Sequence, residues 1–428
     1  MVHGNVKNIK TTAVAFVAIT LSIAALSSCR VKLDDKGVEA RAREIHRRVL
    51  TVDTHCDTAF NLLRKDWKIG DRHDPALRAS GKIDLPRMAE GGLDAEFFAV
   101  FVGQGPRTPE GNAIAREEAL VGLEAIHKMG RDYPGLVGLA FSPEDAYRLK
   151  KEGRRAAFIG MENGYPVGRD LALLKTFYDR GVRYLTLCHS QDNDICDSST
   201  DRDDPDDPRD DGLSDFGRQV VLECNRLGIL VDVSHASDGS FADVIKAGRA
   251  PVIASHSCCR AICDNPRNLS DDMLRALAAN GGVIQICFLS NYVRKPRPNP
   301  ERDQARKELE SKYGNFREMK DEAVREKARQ EYEAVMQKYS QDKADVKDLV
   351  DHIDHVARVV GVDYVGIGTD FDGGGGVIGC DDVSGMVHVT EELIRRGYSE
   401  KDIAKIWGGN FMRVFRKAIE VSVRLSAK

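Results

Sequence analysis

The 428-residue sequence predicts an α/β fold, a (β/α)8 TIM barrel. Three observations carry that prediction. Eight short, nearly continuous apolar runs recur, at 50–57, 95–103, 156–162, 183–189, 229–235, 251–256, 282–289 and 364–370. Strands that are apolar along their whole length belong to a parallel sheet buried on both faces. Helix-like stretches lie between most of them, as at 113–129, 171–180, 217–227 and 271–279. Eight such units favour a closed barrel over an open doubly wound sheet. No glycine-rich dinucleotide fingerprint follows the first run, which weakens the open alternative further.

From the N-terminus, Lys7 and Lys10 precede sixteen uncharged residues, 11–26, and then Leu26-Ser27-Ser28-Cys29. A basic start, an apolar middle and small residues before a cut site make a secretory signal. The stretch is short and Thr/Ala-rich for a stable membrane span. Its end resembles the lipobox of bacterial lipoproteins, which implies cleavage before Cys29 and lipidation of that cysteine. The expected organisation is a signal peptide at 1–28, a lipidated tether at 29–36 and a single catalytic domain at 37–428. The expected address is the bacterial cell envelope, with the protein anchored by lipid. Arg30 follows the cysteine, so no acidic residue argues for the inner membrane, and in a cell with two membranes the outer one is favoured.

Three later segments depart from the barrel pattern. Residues 192–215 hold eleven aspartates and only two basic residues, without the order of an EF-hand. They read as a solvated loop with at most loose cation binding. Residues 294–348, after the seventh run, hold 15 basic and 13 acidic side chains. Helices with alternating charge are expected at 307–313 and 318–339, as a solvated excursion or as a lid or subunit contact. Gly373 to Gly376 read as a flexible barrel loop, because no Lys-Ser/Thr follows to make a phosphate cradle.

Composition narrows the function classes. Hydrophobic residues are 42% and charged residues 30%, which excludes a disordered chain. The formal net charge of −4 gives no basic excess for a nucleic-acid partner. Ten cysteines are too few for a disulfide scaffold. Cys56, Cys188 and Cys287 lie in apolar runs and read as small buried hydrophobes. Cys258 and Cys259 lack the CxxC spacing of ligands.

The chemistry sits where the runs end. Six of the eight finish on a polar group: His55-Cys56-Asp57, Glu162, His189, His235, His256 and Asp370. In a barrel these ends share the C-terminal rim, where active sites are built. His55 and Asp57 are two apart, so on a strand both point to one side and can chelate one metal. His235 and His256 can hold a second, and Glu162 has two oxygens with which to bridge. Nitrogen and oxygen donors with few thiolates suit zinc, with cobalt or manganese as alternatives. Ionisable groups ending apolar strands carry large desolvation penalties unless paired or bound to metal. His352 and His355 lie in a helix-like stretch, 350–360, and lack the spacing of a zincin helix. They read as structural.

These residues stand in motifs that resemble the membrane (renal) dipeptidases. The motifs are Asp53-Thr54-His55-Cys56-Asp57, Gly160-Met161-Glu162-Asn163-Gly164, Tyr184 to His189, Gly212 to Gly217, Val231 to Ser237, Pro251 to Ser257, Pro266-Arg267-Asn268 and Gly366 to Gly373. They run in order from about Val49 to about Phe415. The resemblance implies a barrel of the metal-dependent hydrolase type that cleaves free dipeptides, including those with a C-terminal D-residue. It implies two zinc ions, with His55 and Asp57 on one, His235 and His256 on the other, and Glu162 and a hydroxide bridging. By the same resemblance His189 steadies the oxyanion, Arg267 grips the substrate carboxylate, and Asp370 handles protons and meets the amine. From the sequence alone Arg267 would sooner be a surface ion pair. A homodimer is also implied.

Asn163 stands where many members have a second glycine, the loop after His189 is unusually acidic, and 294–348 is longer than in the mammalian enzymes. Two rivals remain. A related amidohydrolase acting on N-acyl amino acids or other small amides and esters would keep the ligands and not need Arg267. A surface-binding lipoprotein with a decayed site would have lost at least one ligand.

Overall fold

The strands form within the short, mostly apolar runs of the sequence. They are β1 (Val52–Cys56), β2 (Ala95–Phe101), β3 (Val137–Leu139), β4 (Arg155–Glu162), β5 (Val182–Thr186), β6 (Leu230–Asp232), β7 (Ile253–Ser257), β8 (Val283–Ile286) and β9 (Val365–Ile367). This computed structural model describes residues 1, 34–201, 212–314, 321–339 and 342–427. The eight expected runs all contain a strand. All pairings are parallel, in the order β1-β2-β4-β5-β6-β7-β8-β9. The barrel closes between the first and last of these. Asp57 N–H donates to Phe371 O at 2.8 Å and Asp370 N–H to His55 O at 3.0 Å. The ninth strand, β3, was not anticipated. It is three residues long, contains Gly138, and pairs only with β4 outside the barrel order.

Side chains alternate along each strand, so one wall faces the helices and the other the barrel interior. Phe98, Ile159 and Leu185 join the large cluster beneath the surrounding helices. Phe97, Phe158 and Tyr184 instead cluster with Phe411 and Phe415 of the C-terminal helix Asn410–Ser426. The rings of Phe97 and Phe158 stack at 4.6 Å, and those of Phe97 and Tyr184 at 5.3 Å. This aromatic layer fills one end of the barrel, and the polar strand ends occupy the other.

The excursion after β8 is a helical hairpin, Pro300–Tyr313 against Glu322–Lys338. Lys312 pairs with Glu331 across it at 2.6 Å. Its base is clamped by Arg294, which holds Asp342 and Asp348, each at 3.0 Å. The glycines at 373–376 form a hydrogen-bonded turn rather than the expected flexible loop. Gly373 and Gly375 both donate to Asp370 O, and Gly376 donates to Phe288 O. The lipobox and Cys29 lie outside the described residues, as does 202–211 of the acidic stretch. Among the described residues no helix is long and apolar enough to cross a membrane.

Candidate active site

Six of the strand ends deliver an ionisable side chain to a common cavity of about 580 Å³. Asp57 follows β1, Glu162 ends β4, His189 and His235 stand three residues beyond β5 and β6, His256 lies within β7, and Asp370 is three beyond β9. Backbone strain is concentrated here. Asn163, His235, Asp370 and Asp372 are the described non-glycine residues with positive φ, at 75°, 70°, 60° and 67°. Residues held in this region cluster at functional sites, where the surroundings over-determine them. Asn163 thereby accounts for its departure from glycine. Asparagine tolerates the left-handed region, and its amide bonds Val102 O, Gln104 Oε1, Tyr165 N and Asn193 Nδ2.

Glu162 is the hub. Its Oε2 lies 3.6 Å from His55 Nε2, and its Oε1 lies 3.1 Å from His235 Nε2, 3.5 Å from His256 Nε2 and 3.8 Å from His189 Nε2. The two oxygens thus face different histidines, an arrangement that suits a bridge. Asp57 Oδ2 lies 3.6 Å from His55 Nε2. Three groups of side chains could hold an ion: His55, Glu162 and His256; Glu162, His189 and His235; His55, Asp57 and Asp370. The buried His55 Nε2, which faces Asp57 and Glu162, has no hydrogen-bond partner, and the Nε2 atoms of His235 and His256 lie 2.9 Å apart beside Glu162. Buried polar atoms without partners are costly, and lone-pair donors in this nitrogen and oxygen set fit a divalent cation. Behind them, His55 Nδ1 meets Tyr184 Oη at 2.8 Å. His256 Nδ1 meets Ser255 Oγ at 2.9 Å, and that hydroxyl donates to Asp232. Partners of this kind fix ring orientation.

The charges act on one another at short range. Burial opposes the charge on His55, but Glu162 and Asp57 overcome it and raise its pKa well above the ordinary value. Burial likewise opposes the Glu162 carboxylate, yet His55 and the other histidines hold it well below the usual range. Burial and then the Asp57 charge push Asp370 well up. Burial, with Arg267 next for His235 and His55 next for His256, pushes both rings well down. Gly373 permits the closeness of the two aspartates. A Cβ there would fall 2.1 Å from both Asp57 Oδ2 and Asp370 Oδ1.

Arg267 corrects the surface ion-pair reading. It is 3% exposed, has no carboxylate partner among the described residues, and its Nε is unsatisfied. One guanidinium nitrogen reaches His256 O at 3.3 Å, and the group lies 5.3 Å from the Tyr292 ring centre. Sequence reasoning gave no role to Tyr292 or Tyr184, since a tyrosine carries no metal or charge signal. His352 is structural, as read: Cys259 N–H donates to its Nδ1, and its Nε2 meets Val293 O. His355 pairs with Asp271 at 2.7 Å, away from the cavity.

Residues 39–428 match the family described as Membrane dipeptidase (Peptidase family M19). A dipeptidase of Aspergillus terreus is 30% identical over 91% of this chain and 89% of its own. Dipeptidase 3 of Rattus norvegicus is 30% identical over 80% of this chain and 59% of its own. The crystal structure of a probable dipeptidase from Pseudomonas aeruginosa superposes with a TM-score of 0.78 and 34% identity, covering 91% of this chain and all of the other.

Proposed function

Because the chain belongs to the membrane dipeptidase family, and so is a metal-dependent hydrolase of dipeptides, we propose that it is a binuclear zinc enzyme cleaving free dipeptides. The C-terminal D-residue belongs to this reading through the family resemblance. The observation that carries the proposal is Arg267: a buried guanidinium without a carboxylate partner, on the wall of the cavity that holds Glu162 and the histidines. A planar fork of donors in that position suits bidentate capture of a substrate carboxylate. It sets the distance from that carboxylate to the reacting carbonyl.

His55 and Asp57 would hold one ion, His235 and His256 the other, and Glu162 both. Bound ions would supply an activated water and polarise the scissile carbonyl. The remaining steps fall to side chains. Burial lowers the His189 pKa and so favours the neutral ring. Ser190 Oγ lies 2.9 Å from its Nδ1. A hydroxyl donating there leaves the proton on Nε2, aimed at the oxyanion as it forms. Asp370, on the cavity wall, would take a proton from the nucleophile and pass it to the leaving nitrogen. Asp372 on the same wall adds negative charge that suits a free α-ammonium, which favours dipeptides over N-acyl amino acids.

The test is hydrolysis of L-Ala-L-Ala, L-Ala-D-Ala and N-acetyl-Ala-Ala, with and without chelator and added zinc. Chelator-sensitive cleavage of the free dipeptides alone supports the reading. Cleavage of the acetylated compound alone moves it to the broader amidohydrolases. We also propose the envelope address, with Cys29 as the lipid anchor, and a homodimer. Cys29→Ser should move the protein from the membrane to the soluble fraction, and sedimentation reads the dimer.

A further inference from the structure

A second concavity, of about 510 Å³, opens beside the first and shares Phe60, Phe101 and Gly103 with it. Its walls are mostly apolar. Phe60, Leu63 and Val121 are 49%, 48% and 54% exposed, unusual for large hydrophobic side chains gathered in one place. Leu63 follows the short helix Ala59–Leu62, and Val121 lies on the helix Pro109–Asp132. Gly103 stands at the seam. A Cβ built there meets nothing within 4 Å, and the residue lines both spaces.

Topology says which part of a substrate faces the seam. In the closed order of eight, β2 and β7 are four places apart in either direction, hence opposite each other across the barrel. Arg267 follows β7, while Phe101 and Gly103 end and follow β2. A dipeptide whose carboxylate rests on Arg267 and whose carbonyl lies at Glu162 therefore points its N-terminal residue toward β2. Asp370, beside β1 through the barrel closure, is placed for the amine of that same residue.

We propose that this groove is the subsite for the N-terminal side chain of the substrate, and that it selects a large apolar one. The inference rests on the dipeptidase reading above and deepens it. Each added buried methylene favours the larger substrate, and a well-filled apolar pocket discriminates by about tenfold or more. Carboxylates stand only at the rim, on Glu117 and Glu118.

The experiment compares kcat/KM for L-Phe-L-Ala, L-Leu-L-Ala, L-Arg-L-Ala and Gly-L-Ala, using the full chain supplied with zinc. The wild type should prefer Phe-Ala and Leu-Ala over Gly-Ala by about tenfold or more. Val121→Asp and Leu63→Ser should each reduce the Phe-Ala to Gly-Ala ratio at least fivefold. The ratio is internal to each variant, so a smaller folded fraction cancels. An unchanged ratio in both variants, no apolar preference in the wild type, or Arg-Ala cleaved faster than Phe-Ala overturns the subsite while leaving the dipeptidase reading intact. Failure to cleave any of the four overturns both.

Discussion

Tyr184 Oη lies 2.8 Å from Nδ1 of His55, and this contact ties the aromatic floor of the barrel to its polar rim. The ring is fully buried and stacks on Phe97. Gly160 makes room for it, since a Cβ there would fall 2.0 Å from the Tyr184 Cζ. Tyr184 is therefore a positioning residue. It holds the His55 ring so that Nε2 faces Asp57 and Glu162. Tyr184→Phe keeps the packing and removes the hydroxyl. Metal affinity, read by competition with a chelator, should fall by about tenfold or more, and saturating metal should restore most of kcat. Unchanged affinity would show that packing alone orients His55.

Arg267 separates substrate binding from chemistry. Lysine keeps the charge but not the fork, so Arg267→Lys should lower kcat/KM by about 100-fold, ~2.7 kcal/mol, mostly through KM. Zinc content should not change. An equal loss in Arg267→Lys on a substrate amidated at its C-terminus would place the guanidinium's role elsewhere than on the carboxylate.

Asp370 separates proton transfer from metal holding. It stands in one of the candidate ion groups and in the substrate cavity. Asp370→Asn preserves shape and removes the titrating group. The expected outcome is a drop of about 100-fold or more in kcat with zinc content intact. Loss of zinc from this variant would make Asp370 a ligand and contradict its role as proton carrier.

The contrast between Asp370 and Tyr292 shows what is legible in a sequence. Eight apolar runs with Asp57, Glu162, His189, His235, His256 and Asp370 at their ends predicted both the barrel and the gathering of these side chains at one rim. Charges at the ends of apolar strands are costly, so they stand out in one dimension. Tyr292 and Tyr184 do not, because an uncharged aromatic carries no such cost wherever it falls. Arg267 was legible by resemblance, but its burial was not: no local pattern around Pro266-Arg267-Asn268 announces a guanidinium folded under Tyr292. β3 escaped because three residues containing a glycine carry no periodicity. The turn at Gly373 was misread because glycine permits close approach as readily as motion, and here the approach is of Asp57 to Asp370.

Away from the metal centre, His46 and His352 make the fold acid-sensitive. Burial lowers each pKa from the usual 6.5 to about 4. Both rings are wired as neutral species. His46 Nδ1 meets Gly91 O while its Nε2 meets the Thr390 hydroxyl. His352 uses Nδ1 to accept from Cys259 N–H, so protonation there would break that bond. A lowered pKa in the folded state means that the unfolded chain binds protons first as pH falls. The stabilisation from each neutral histidine is then complete above pH 6.5 and is lost progressively down to about pH 4. At pH 5 the loss is ~2 kcal/mol for each ring. Urea unfolding at pH 7.5 and pH 5 should show the difference between the two pH values shrinking by about that amount in His46→Gln and again in His352→Gln. Comparing each variant with the wild type at both pH values cancels the acid loss of metal, which all the proteins share. A pH difference as large in the double variant as in the wild type would assign the acid sensitivity to other groups.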